Sequence, residues 1–258
     1  MQAGRRNTHN AIRTMITMTY QSRTYRSYTE SDDLTSFKVA VSQTDLFISA
    51  DSSLKKEAKE SIARLRSSIE EYISVYPNFA DTLMPVAYDK NAPPIVKSMI
   101  RAAESCNTGP MAGVAGAIAE GVGKDLLLSS TQVIIENGGD IFIASKVPRV
   151  VGLYAGKSKF SKKVGISIEP KDTPCGICTS SATVGHSLSF GRADAVVVLS
   201  PSAPLADCCA TALCNRVADR DDIKSVINYG KKIKGIKGIL VVIGDTLGAW
   251  GSVKLVDI

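Results

Sequence analysis

The β-forming runs of this chain follow one another across turns, while its helix-forming runs arrive as long separate blocks. That order limits the fold more narrowly than any other feature. Strands joined by short turns pair antiparallel, whereas a doubly wound parallel sheet needs a helical crossover between successive strands. In "SFKVAVSQTDLFISA" (36–50), Phe37, Val39 and Val41 recur at every second position. Leu46 and Ile48 resume the pattern beyond "SQTD", which predicts a hairpin. "QVIIENGGDIFIAS" (132–145) repeats the arrangement, and "VVGLYAGKS", "KVGISIEP" and "RADAVVVLS" (192–200) add further strands. "KGILVVIGDTLGAWGSVKLVDI" (237–258) closes the chain as a hairpin.

Between these runs lie the helices. In 53–76, Ile62, Leu65, Ile69 and Ile73 recur at three- and four-residue spacing, with Asp51 or Ser52 as cap and Pro77 as stop. "APPIVKSMIRAAESC" (92–106) takes its prolines in the first turn. "GPMAGVAGAIAEGVGKDLLLSS" (109–130) is built from Gly and Ala, which suits either tight helix–sheet packing or the close approach of a ligand. "APLADCCATALCNRVADR" (203–220) and "IKSVINYGKKI" (223–233) complete the set. The sum is an α+β fold, largely antiparallel sheets with packed helices.

Of the formal charge of +6, Arg5, Arg6, Arg13, Arg23 and Arg26 supply five units before the first acidic residue, Glu30. The remaining charges are interspersed, which argues against a basic nucleic-acid face and for a flexible basic tail over 1–19 preceding a single domain over 20–258. Apolar runs such as "AVVVL" and "ILVVI" fall far short of the roughly 20 residues of a membrane helix. The N-terminus lacks the apolar core of a secretory signal, so the expected location is cytoplasmic. Six cysteines then read as reduced thiols. Adjacent Cys208 and Cys209 are poorly placed to share one tetrahedral zinc.

Two familiar catalytic patterns fail. In "GHSLSF" Ser189 stands where a nucleophile elbow needs its second glycine. In the stretch ending "AGKS" Val151 replaces the leading glycine of a phosphate loop. Three other elements suit a phosphate-bearing ligand. In "ENGGD", Gly138 and Gly139 allow positive φ and close backbone approach, and Asp140 can accept hydrogen bonds; the same letters make an ordinary hairpin turn. Thr179, Ser180 and Ser181 place three hydroxyls and three N–H groups consecutively, before Ser187 and before His186, the only histidine outside the tail. Asp207 and Thr211 stand four apart on a helix and share a face, a partial shell of the kind Mg2+ accepts. An acid in a helix's first turn also favours the dipole.

"ENGGDI", "TSSATVGHSLSFGRADAVV" and "LADCCATA" together resemble the ApbE-like superfamily, whose founding members are FAD:protein FMN transferases. "YQSRTYR" and "GPMAGVAGAIAE" are similar to its short branch in archaea and anaerobic bacteria. The resemblance implies a T-fold-related architecture in two lobes with the ligand between them. It implies Mg2+ on Asp207 and Thr211 of an "ADxxxT" helix, with a backbone carbonyl near Ala112. It also implies FAD or a related flavin nucleotide near Gly138, Gly139, Asp140 and Thr179 to Ser181. "GHSLSFGRADA" replaces the transferases' "HxxDPxTG" segment, keeping His186 as a proton donor or base, and no "STYxxxSE"-like segment for the flavin ring is present. The diphosphate and metal half of the site is the half retained. The implied functions are Mg-dependent FMN transfer or FAD cleavage, with an acceptor protein as partner. The alternative is a non-catalytic flavin- or nucleotide-binding subunit in anaerobic sulfur or amino-acid (homocysteine-type) metabolism. A homo-oligomer is compatible with either, and sulfur carriage on Cys175 and Cys178 ranks last.

Overall fold

The first alternating run folds as expected. Strands β1 (Thr35–Val41) and β2 (Thr44–Ala50) pair antiparallel around a two-residue turn in which Ser42 takes a positive φ of 52°. The computed structural model describes residues 31–184 and 190–258. The basic tail, His186 and Ser187 lie outside the described residues.

Helix α1 (Lys55–Val75) buries Ile62, Leu65 and Ile69 as their spacing requires. Its start departs from expectation: Leu54, not Asp51 or Ser52, holds the N-cap position. The carboxylate of Asp51 instead accepts the Thr131 N–H at 2.5 Å, and its own N–H donates to Ser130 Oγ at 3.0 Å. A residue that ties two loops together is not available as a cap. A single turn α2 (Asn78–Asp81) follows, then α3 (Pro94–Cys106) and, after the 3-10 turn Pro110–Gly113, α4 (Val114–Leu126).

Strands β3 (Val133–Asn137) and β4 (Asp140–Ala144) form the second hairpin, β5 (Arg149–Gly152) and β6 (Val164–Ile168) a third. "CGICTS", in a stretch dense in turn-forming residues, is strand β7 (Cys175–Ser180). Burial explains this: the run alternates between two apolar layers, with Ile177 in one and Cys178 in the other. β8 (Ala195–Ser200) is buried at every position. Helices α5 (Ala203–Cys214) and α6 (Ile223–Gly230) precede β9 (Gly238–Ile243), β10 (Thr246–Gly251) and β11 (Lys254–Asp257). Only β9 and β10 make the closing hairpin; β11 leaves it to pair with β6.

The result is one eight-stranded antiparallel sheet, ordered β1-β2-β3-β4-β7-β8-β9-β10, and a small sheet β11-β6-β5. The small sheet covers one face of the large one through Ile134, Ile143, Ile166, Ile177 and Leu240. Helices cover the other face in two clusters. One joins α1, α3 and α4 to β1–β4, and the second joins α5 and α6 to β7–β9. Among the described residues no helix is long and apolar enough to cross a membrane.

The Gly/Ala-rich stretch does two packing jobs. Gly123 sits so close to the Phe142 ring that a Cβ there would lie 2.2 Å from it. At Gly116 a Cβ would lie 2.6 Å from the Ala203 carbonyl oxygen of α5. The small side chains therefore serve helix–helix as well as helix–sheet contact.

Candidate functional site

At the junction of the two helix clusters the close α4–α5 contact carries a pair of reciprocal caps. Asp207 Oδ2 on α5 accepts the Gly116 N–H from the first turn of α4 at 2.9 Å. Glu120 Oε2 on α4 accepts the Ala203 N–H that opens α5 at 2.7 Å. Each acid satisfies donors that a helix start leaves orphaned. The metal reading of Asp207 therefore shares its carboxylate with a structural task.

Beside that contact opens a cleft of about 420 Å³. Asp140, Asp207 and Thr211 all line it. Asp140 reaches it from the start of β4, where the hairpin turn carries φ of +69° at Gly138 and +108° at Gly139. The hairpin turn thus brings Asp140 to the cleft. Asn137 Nδ2 donates to the Ala115 carbonyl at 3.0 Å and fixes that turn against α4. Neither Gly138 nor Gly139 lines the cleft, although the Gly139 carbonyl accepts the Thr179 N–H at 3.2 Å.

The three consecutive hydroxyls do not form one array. Side chains alternate across a strand. Cys178 faces the helices and Ile177 the small sheet, so Thr179 falls on the Ile177 face, away from α5. Ser180 is buried, and Ser181 Oγ accepts the N–H groups of Thr183 and Val184 at 3.1 and 2.9 Å. That is a local serine turn.

Several lining residues carry no local signature in the sequence. Thr108, Asn107, Thr82 and Leu83 come from loops, and Asn215 and Arg216 from the end of α5. Leu83 and Phe190 stand 61% and 66% exposed at the cleft. A more apolar cleft of about 400 Å³ adjoins through Met111, Val114 and Ala115.

The electrostatics are those of acids kept from water. Burial raises the Asp207 carboxyl to about 7, against the opposing pull of the Gly116 and Ala115 N–H groups. Burial first, and then the charge of Asp207, raise Asp140 well above the usual carboxylate range. Asp140 Oδ1 and Thr108 Oγ1 are buried without a hydrogen-bond partner. Buried polar atoms in a native protein nearly always have one, so orphans beside a cleft point to a group that completes them. Among the described residues no set of three or more His, Cys, Asp or Glu side chains converges for a metal. Two carboxylates with hydroxyls and carbonyls nearby are hard oxygen donors, which fit a cation that keeps waters or ligand oxygens.

Fold and cleft together define a mixed helix and antiparallel-sheet protein with an acid-lined cleft beside the contact of its two helical packs. A family model described as AbpE bacteria matches residues 26–247, and the chain belongs to that family. It is 41% identical over 222 residues to the UPF0280 protein of Methanocaldococcus jannaschii, covering 84% of this chain and 90% of the relative. The UPF0280 protein of Methanosarcina acetivorans is likewise 41% identical, over 214 residues, covering 82% and 84% of the two chains. The fold is shared with the flavin transferase ApbE of Vibrio cholerae at a TM-score of 0.56 and 16% identity, over 85% of this chain and 97% of that one. The ApbE protein of Thermotoga maritima gives a TM-score of 0.56 at 14% identity, over 83% and 96%. The chain is thus an ApbE-like protein of the UPF0280 branch.

Proposed function

We propose that the protein binds a flavin or another nucleotide diphosphate together with Mg2+ in the cleft between α4 and α5. One observation carries the reading: Asp207 and Thr211, one turn apart on α5, line the same cleft as Asp140, whose Oδ1 is buried without a partner. Asp207 and Thr211 would hold the cation, with a carbonyl of the Pro110–Gly113 turn, where Ala112 lines the cleft, as a further donor. A bound Mg2+ would neutralise charge on the diphosphate. Asp140 would orient the ligand's polar edge, and Gly138 and Gly139 would hold Asp140 there. Leu83 and Phe190 offer apolar surface for a planar ring. The relation to flavin transferases supports the flavin as ligand.

In the catalytic version, FMN is transferred to an acceptor protein or FAD is cleaved, with His186 moving the proton. Ser187 would then contact the ligand beside it. The second reading is a binding subunit without turnover, in which the same cleft holds the ligand and His186 has no catalytic part.

Mass spectrometry of the small molecule that co-purifies with the protein, followed by FAD titration with and without Mg2+, tests the binding. Released AMP or a flavinylated partner separates turnover from storage. Equal FAD retention by wild type and Asp207→Asn, with and without the cation, would refute the assignment of Mg2+ to Asp207.

A further inference from the structure

Arg216 is the only cationic side chain that lines the cleft among the described residues. It follows α5 by two residues. Its Nη1 donates to the Ala212 carbonyl, one turn back, at 2.6 Å. Its Cζ lies 4.2 Å from the centroid of the Tyr229 ring on α6. The first contact draws the charged end back along the helix to the level of Ala212, the residue after Thr211. The second holds the guanidinium against an aromatic ring, where cations are attracted to the ring's electron-rich face. Nε and Nη2 have no protein hydrogen-bond partner among the described residues. A side chain that would otherwise be a loose surface arginine is therefore fixed at two points, at the edge of a cleft whose floor is acidic.

A cation near a helix C-terminus is favourable in itself. That accounts for a positive charge at this position but not for its fixation beside Thr211. A phosphate-bearing ligand entering a cleft lined by Asp140 and Asp207 meets like charge on the floor, and it needs positive charge on more than one side. An arginine fork suits phosphate oxygens, and a pre-fixed one loses little entropy on binding.

We infer that Arg216 binds a phosphate oxygen of the ligand at the edge of the cleft, in addition to the cation held by Asp207 and Thr211, and thereby sets a preference for phosphate-bearing over neutral ligands. This rests on the proposed nucleotide site. Tyr229 and the Ala212 carbonyl act as positioning groups for it. Asn215 secures the neighbouring chain: its Oδ1 accepts the Phe190 N–H at 2.9 Å.

Calorimetric titration of the full chain with FAD, ADP, riboflavin and adenosine, each in Mg2+, tests this in wild type, Arg216→Ala and Arg216→Lys. A charge-assisted hydrogen bond corresponds to a loss of about tenfold to a hundredfold in Kd when it is removed. Arg216→Ala is expected to weaken FAD and ADP by that factor and leave riboflavin and adenosine within about twofold, with Arg216→Lys recovering part of the loss. Equal losses for charged and neutral ligands, or none, would make Arg216 a structural residue and overturn the inference. If wild type binds neither FAD nor ADP, the nucleotide site itself fails and the inference falls with it. If wild type binds both and Arg216→Ala is unchanged, only the inference falls. Tyr229→Leu keeps the charge but frees it, and should show a smaller loss in the same ligand-selective direction should Arg216→Ala fold poorly.

Discussion

Asp207 Oδ2 and the backbone N–H of Gly116 meet at 2.9 Å across the contact of α5 with α4. The pair joins helix packing to the cleft, because the contact exists only where two helix backbones touch, and the acid that closes it also lines the cleft. Glu120 makes the matching cap on Ala203, so separation of the helices would release both. The site's shape thus depends on the absence of side chains on α4.

Gly116→Ala tests that dependence. The added Cβ would lie 2.6 Å from the Ala203 oxygen and 3.0 Å from Asp207 Cβ. Overpacking against backbone costs about 1–3 kcal/mol. Urea unfolding should show a lower midpoint at unchanged slope, since the surface exposed on unfolding is the same. A variant as stable as wild type would mean that the helices part at no cost.

The second expectation concerns pH. Burial raises Asp207 from 3.8 to about 7 in the metal-free fold. A carboxyl raised by folding stabilises the protein fully below its unfolded value and ceases to do so as pH climbs through its folded one. Metal-free stability should therefore decline between about pH 4 and 7, by up to about 1.4 kcal/mol per pH unit from this group. Cation binding needs the ionised form, so affinity for Mg2+ or Mn2+ should rise across the same window and level off above it. Asp207→Asn should remove that decline and abolish the binding. Denaturation and Mn2+ titration at several pH values check both, and a pH-independent affinity would contradict the assignment.

Part of this was legible in the letters. The four-residue spacing of Asp207 and Thr211 fixes their common face whatever the rest of the fold does, and "NGGD" specifies a turn that delivers Asp140. The hydroxyl run misled because seven residues dense in Cys, Gly, Ser and Thr look like turn material. Burial between the helices and the small sheet makes six of them a strand, and alternation then sends Thr179 away from α5. β11 misled for the opposite reason. Its four residues look like the end of a hairpin, and only the open edge of β6 draws them elsewhere. Thr108 enters the cleft from a sequence-distant loop and Arg216 from just beyond α5, and neither belongs to a local pattern.

Thiol chemistry supplies a third test. All six cysteines are buried, and burial pushes Cys175 up to about 12 and Cys178 well above the ordinary thiol range. The thiolate is the reactive form. Native protein should therefore leave Ellman's reagent essentially unreacted at pH 8, and six equivalents should appear on unfolding in guanidinium. Fast labelling of Cys175 or Cys178 in the native state would restore sulfur carriage as a competing function.

Arg149 supplies the last. This guanidinium is only 3% exposed. Its Nη2 donates to Asp33 Oδ2 at 2.8 Å, its Nη1 to the other oxygen of the same carboxylate, and its Nε to Ser145 Oγ at 2.8 Å. Nη2 also reaches Gln132 Oε1 at 3.3 Å. One arginine thus joins the segment before β1, the α4–β3 loop and the β4–β5 connection. Removing it strands buried acceptors as well as deleting charge, so Arg149→Ala should cost about 2–4 kcal/mol. Lysine lacks the fork and should recover little of that. Asp33→Asn should cost far less, about 1 kcal/mol, because its side chain is 47% exposed and solvent screens the pair. The hydrogen bond from Arg149 holds the Asp33 carboxyl below its usual range. A carboxyl lowered by folding stabilises above its unfolded value of 3.8 and ceases to do so as pH falls through the depressed one. Acid unfolding of Asp33→Asn should accordingly be less steep below pH 4 than that of wild type. An Arg149→Ala midpoint matching that of Asp33→Asn would show that the carboxylate alone, and not the three-way tie, is what the arginine contributes.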